Sequence, residues 1–347
     1  AEGGRIVLEA DGQITHSGRI AADSQTDDGG RITVEADDIH LQAGSQISAQ
    51  GATGGGDVLV GGDWQGGANE ERRVLDSANA MAEATTVKMD AGATIDASGT
   101  DTGDGGTVVL WSDISNPDSV TSVHGEIYAK GGLNGGDGGQ IETSGATLNT
   151  DGVRGSAASR GGEAGDWLFD PYDFTVDAAA ATDIVTLLEG GTNVTLDTTA
   201  PDSQEGLGLT GVDGNGDITV ASAIVMPVDE PEAEGEGTEG AEAPAEPETP
   251  VTPGNLTLDA DGDILVDANI DVAGALTLTS QGDITIDAAL TGQADDKAFT
   301  FDSTSGAVAI NADVSTQGTL TVDTGNSQNI NVAADISTAG TQTYNDT

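Results

Sequence analysis

"GGRIVLEADGQITHSGRIAADSQTDD" occupies residues 3–28, and "GGRITVEADDIHLQAGSQISAQGATG" follows directly over residues 29–54. Both units are 26 residues long and both open on Gly-Gly-Arg-Ile. Self-similarity at a fixed short period marks a stacked repeat architecture. Within each unit, segments such as Arg31-Ile32-Thr33-Val34-Glu35 alternate as a half-buried strand does. Gly, Asp, Asn and Ser punctuate them, as tight turns require. Further Gly-Gly pairs begin at Gly55, Gly105 and Gly138. The interval from Gly55 to Gly105 is 50 residues, enough for two coils or for one coil with an insertion, and the next is 33.

A second repeat family fills the C-terminal part. "GNLTLDADGDILVDANIDVA" starts at Gly254, "GALTLTSQGDITIDAALTGQ" at Gly274, a looser copy spans 294–317, and "GTLTVDTGNSQNINVAADISTA" starts at Gly318. Each copy carries three short β segments. A unit this small buries its apolar face only by stacking on its neighbours. The expected fold is therefore all-β, a parallel β-helix (solenoid) with one coil per unit and ~4.8 Å between coils. An array of β-sandwiches would instead need units of roughly 80 to 100 residues joined by antiparallel hairpins.

The chain divides into Gly-Gly coils over residues 1–165, a transition segment over 166–226, an acidic loop over 227–253 and a continued β-helix over 254–347. "ANEERRVLDSANAMAEA" at 68–84 lacks Gly and predicts a helical or irregular excursion from the third coil. "AAAATDIVTLLEGG" at 178–191 predicts a short helix, with Thr182 as N-cap and Gly190-Gly191 as its stop. Residues 227–253 hold six of the nine prolines and no basic residue, the composition of a disordered, self-repelling segment. Matching repeat sequence on both sides makes it a loop extruded from a continuous β-helix. Both ends of the chain fall inside repeats, so the sequence reads as a piece of something longer.

Sixty acidic residues stand against ten basic ones, for a formal charge of −50. Phosphate-backbone binding needs clustered Lys and Arg, so nucleic acid is excluded as a partner, and anionic membrane surfaces with it. No apolar run approaches the roughly 18 residues of a membrane span. The absence of Cys suits an exported protein.

"GGDVLVGGDWQG", "TTVKMDAGATIDASG", "DGGTVVLWSD", "GEIYAKGGLNGGDGGQIETSG" and "GDWLFDPYDFTV" occur in that order after the second unit. Together they resemble the filamentous-haemagglutinin-type large exoproteins of two-partner secretion, over most of residues 1–176. That resemblance implies a right-handed β-helical shaft, secreted or held at the surface of a Gram-negative bacterium through an outer-membrane transporter partner. It implies an adhesive, biofilm-matrix or filament-forming role, with other copies of the chain or cell-surface and matrix glycans as partners. The family's secretion domain is not visible here, and no ligand is identified.

Three sets of residues are candidate sites. Asp213, Asn215 and Asp217 alternate in the Gly-rich turn "GVDGNGDITV", a way of presenting oxygen ligands to Ca²⁺, though Asp and Gly also serve simply as turn formers. If calcium holds such turns, chelation lowers the melting temperature. Stacked aspartates such as Asp263 and Asp283 would repel one another unless screened. Trp64 and Trp111 are candidates for glycan stacking, with burial at a coil corner as the alternative. Trp167, Leu168, Phe169, Asp170, Pro171, Tyr172 and Asp173 read as a structural joint: the three apolar residues plug the core where the coil type changes, Pro171 fixes a turn, and Asp170 and Asp173 accept backbone N–H groups. The threonines in "LTLD", "LTLT" and "LTVD", Thr257, Thr277 and Thr321, read as ordinary strand surface, with an ice-binding or glycan-binding array as the disfavoured alternative. With 60 acids, paired carboxylates are uninformative, and no nucleophile–base arrangement can be nominated. The chain is expected not to be an enzyme, with a carbohydrate-active β-helix or a calcium-dependent glycan-binding module as the alternatives.

Overall fold

The computed structural model describes residues 4–198, 215–227, 251–325 and 328–346. One parallel sheet of twelve strands extends from Arg5–Glu9 to Gln342–Asp346, taking one strand from each coil. The other strands form four shorter parallel sheets. Two five-stranded sheets complete the N-terminal coils and end at Thr147–Asn149 and Arg154–Ser156. A six-stranded and a five-stranded sheet complete the C-terminal coils and begin at Phe174–Val176 and Ile224–Val225. This is a parallel β-helix, as the repeat length requires.

Registers follow the repeats residue for residue. Ile32 pairs with Ile6 and Val58, Leu276 pairs with Leu256 and Phe299, and their side chains form one apolar column inside the coil. The Gly-Gly pairs have a steric cause at the coil corner. A Cβ at Gly29, Gly55, Gly105 or Gly138 would lie 1.7–2.0 Å from the carbonyl oxygen of Ala49, Ala97, Ala129 or Ala157, which ends the third strand of the same coil. The first three of those carbonyls accept the N–H of the second glycine of the next pair, as in Gly56 to Ala49 at 2.8 Å, and the Ala157 carbonyl accepts that of Gly165. Coil closure and coil stacking therefore meet at one position where a side chain has no room.

The 50-residue interval is one coil with an insertion, because Asp57–Val60 pairs directly with Thr107–Trp111. The insertion is irregular apart from two 3₁₀ turns, Trp64–Gly67 and Ser77–Asn79. Strand Asn193–Asp197 pairs with Leu256–Ala260, and Ile218–Val220 pairs with Ile264–Val266. The strands on either side of the acidic segment thus lie in adjacent coils, while residues 228–250 fall outside the described residues. Strands Ile218–Val220 and Ile224–Val225 already belong to the second repeat family, inside the segment read as transitional.

The helix spans Ala178–Glu189 and its N-cap is Asp177, not Thr182. Asp177 follows strand Phe174–Val176 with extended backbone, and its carboxylate accepts the N–H groups of Ala179 and Ala180 at 2.9 and 3.0 Å. The run Ala178–Ala181 offers no competing side chain, so the helix starts at once. Thr182 lies inside it and donates its hydroxyl to the Ala178 carbonyl. Ala181, Ile184, Leu187 and Leu188 are buried, and the helix packs on Arg154–Ser156, Phe174–Val176, Asn193–Asp197 and Ile224–Val225. It stands where one pair of short sheets stops and the next begins.

Trp167 and Phe169, from strand Asp166–Asp170, fill the coil interior at this change, with rings stacked at 5.5 Å and 4°. Phe174 joins them at 6.4 Å, and the Trp167 indole donates to Thr143 Oγ1 at 3.3 Å. Leu168 is not part of this plug. Strand alternation turns it to the opposite face, where it joins a separate apolar cluster.

Candidate functional site

That cluster lies on the outer face of the twelve-stranded sheet. Leu59, Val109, Trp111 and Leu168 point away from the coil interior and pack with Ile114 and with Trp64 and Leu75 of the excursion. "DVLV" and "TVVLW" break strict alternation because both faces of those strands are buried. The excursion is the cover. Asp63 holds it together by accepting the N–H groups of Trp64, Val74 and Leu75 at 2.7–2.8 Å.

Trp64 and Trp111 are 1% and 0% exposed, so neither offers a ring face for a sugar to stack on. Trp111 lies against Gly62, where an added Cβ would come within 2.4 Å of the indole, and the Arg72 guanidinium sits 5.4 Å from the Trp64 ring centroid. The excursion converts both from surface aromatics into core.

A carboxylate is buried in the same layer. Glu142 is 0% exposed and is the register partner of Val109 and Leu168. Its oxygens accept the Gln65 N–H at 2.9 and 3.1 Å, and Oε1 accepts the Ser144 hydroxyl at 2.8 Å. Gln65 has φ +47°, a left-handed conformation held by this bond. Burial pushes the Glu142 pKa up to about 8, against the lowering effect of its hydrogen bonds. Asp170 is 2% exposed, its Oδ2 has no hydrogen-bond partner among the described residues, and burial, then the charges of Asp197 and Glu142, hold its pKa well above the usual carboxylate range. It therefore does not share with Asp173 the role of backbone acceptor, because strand geometry aims it at neighbouring acids.

Between the excursion and the sheet is a cleft of about 330 Å³ lined by Trp64, Gln65, Asn69, Arg72, Asp166, Leu168, Thr195 and Asp197. Arg72 approaches Asp166 at 4.0 Å and is the only cation in that lining. The cleft floor continues as two parallel columns on the outer face. Register aligns Thr195, Thr257, Thr277, Thr300, Thr321 and Thr343 in one. Two residues further along each strand, Asp197, Asp259, Asp302 and Asp323 share the second with Thr279 and Asn345. Burial, then Asp197, Asp261 and Asp302, raise the Asp259 pKa to about 6.

The turn aspartates do different work. Asp173 Oδ1 accepts the N–H groups of Asn215, Gly216 and Asp217, each at 3.0 Å. Asp217 Oδ1 accepts the N–H of Asp263, Asp263 that of Asp283, and Asp283 that of Ala307, at 2.7–2.8 Å. Each carboxylate thus caps the backbone of the next coil, and these N–H dipoles offset the repulsion expected between Asp263 and Asp283. Asp213 lies outside the described residues. No group of three or more His, Cys, Asp or Glu able to hold a metal is present among the described residues. Replacing Asp173 with Ala hands three N–H groups, two of them exposed, to water and is expected to cost about 1 kcal/mol in urea unfolding, whereas Asp173→Asn keeps an acceptor and costs less. Equal losses for the two variants would remove the acceptor role.

Sequence reading missed the outer apolar cluster, the cleft and Glu142. The consecutive apolar residues of "DVLV" and "TVVLW" carried a signal for the first, but "QIETS" carries none for a buried acid.

The class these features define is an all-β repeat protein, a parallel β-helix whose longest sheet is covered over one stretch and, among the described residues, open over another. No family model matches the chain, and no curated protein matches it. Among the described residues, no helix is long and apolar enough to cross a membrane.

Proposed function

We propose that this chain is the structural and adhesive shaft of a secreted bacterial exoprotein, exported through an outer-membrane transporter partner and acting in surface attachment, biofilm matrix or fibre formation. The observation that carries this reading is the uninterrupted twelve-stranded sheet, about 50 Å long at the ordinary inter-strand spacing. A rod stabilised only by nearest-neighbour coils extends by repetition, which is what a shaft needs. The ordered run of motifs resembling filamentous-haemagglutinin-type exoproteins supports the same reading. The most strongly shifted acids, Glu142 and Asp170, are buried beneath or beside the excursion instead of facing each other across an open cleft, which favours a shaft over a hydrolase.

The test is deletion of the coding region in the source bacterium, followed by attachment and biofilm assays, with electron microscopy of the purified protein. Loss of attachment together with slender rods of uniform width is expected. Unchanged attachment, or compact particles without an axis, would overturn the reading.

A further inference from the structure

The open stretch of the long sheet has the chemistry of a linear binding track. One column is six threonine hydroxyls and the column beside it is mostly carboxylate. They lie ~7 Å apart across the face and repeat every ~4.8 Å along it, close to the length of one pyranose unit. No Lys or Arg occurs in any strand of this sheet from Asn193–Asp197 onward. No Trp occurs there either, and both phenylalanines point into the core, so the face offers hydrogen bonds and charge instead of ring stacking.

The track runs into the cleft under the excursion at Thr195 and Asp197, where Gln65 and Asn69 add amides and Leu168 an apolar floor. Asp170, the next position in the carboxylate column, is buried beside Asp197 with an oxygen that has no hydrogen-bond partner among the described residues. A column of carboxylates with no Lys or Arg among its strands, beside a column of hydroxyls, is complementary to a partner that is both cationic and polyhydroxylated.

We propose that this face binds an extended polysaccharide of amino sugars with free, protonated amines, its hydroxyls meeting the threonine column and its ammonium groups the aspartate column. A polyuronate is repelled by the same carboxylates. A basic peptide would satisfy the aspartates but leave the hydroxyl column unused. The inference rests on the extracellular shaft reading and gives that shaft a ligand class.

The experiment is calorimetric titration of the full chain with de-N-acetylated glucosamine oligomers of increasing length, at pH 6.5 and moderate salt. Affinity is expected to rise roughly tenfold or more between dimer and octamer, because each added unit engages a further coil. The triple variant D259N/D302N/D323N should lose most of that affinity. T257V/T277V/T300V, which keeps the charge and the strand preference, should weaken it several-fold. Circular dichroism and melting curves identify variants that remain folded, and the comparison is made among those. Equal binding of fully N-acetylated oligomers, or wild-type affinity in both folded triple variants, overturns the proposal. So does poly-lysine binding as tightly as the octamer with no loss in the Thr→Val variant. If the oligomers fail to bind while deletion still abolishes attachment, the ligand is overturned and the shaft stands. Binding without an attachment phenotype overturns the shaft alone.

Discussion

Trp167→Ala is expected to destabilise the protein by about 3–5 kcal/mol, measured by urea unfolding at fixed pH. The indole is fully buried, stacks on Phe169 and donates to Thr143 Oγ1. Removing it opens a cavity at the point where two short sheets have ended and their successors have just begun. Among the described residues, the long sheet and the helix Ala178–Glu189 are the elements that bridge that point, so the surroundings have little freedom to collapse into the hole. The cost should therefore sit at the upper end for a core aromatic. Trp167→Phe keeps the stacking and loses the hydrogen bond, so it should cost clearly less. Trp64 and Trp111 remain as fluorescence reporters in both variants. A loss below about 1 kcal/mol in Trp167→Ala would show that the coil interior repacks and that no plug exists.

Glu142→Gln is expected to make the protein more stable at pH 8 and to leave it nearly unchanged at pH 4.5. Glu142 is protonated in the folded state up to about pH 8, whereas its ordinary value is 4.5. Its contribution is fully present below pH 4.5 and is lost as pH rises through the folded value. The whole difference corresponds to about 4–5 kcal/mol at 1.36 kcal/mol per pH unit. Glutamine stays neutral throughout, retains an acceptor for the Gln65 N–H, and places an amide where the acid carried its proton. Subtracting the variant's pH–stability curve from the wild type's isolates this one carboxyl from the protein's many others. Parallel curves between pH 5 and 8 would mean that the group ionises in the folded protein and that water reaches it beneath the excursion.

The two repeat families, their periods and the parallel β-helix were legible because stacking forces like residues onto like. Ile6, Ile32 and Val58 had to share a column once the 26-residue period was seen. The helix was legible from its alanine run, but its cap was not. Asp177 and Thr182 are both good caps in sequence, and only the end of the preceding strand decides between them. The joint around Trp167 was legible as an aromatic cluster, whereas the opposite destiny of Leu168 follows from alternation in a strand covered on both faces.

What the sequence determined by itself was the coil: its length, its glycine corner, its apolar interior and its charge. These are local or periodic properties, and a period propagates without knowledge of any distant contact. The tertiary structure alone decided what the outer face became. Folding the excursion back over Leu59, Val109 and Leu168 buried two tryptophans and an acid, and among the described residues left the threonine and aspartate columns uncovered beyond them. That outcome depends on where an aperiodic insertion lands, and the Gln65 N–H that meets Glu142 comes from 77 residues away, a pairing no local pattern encodes.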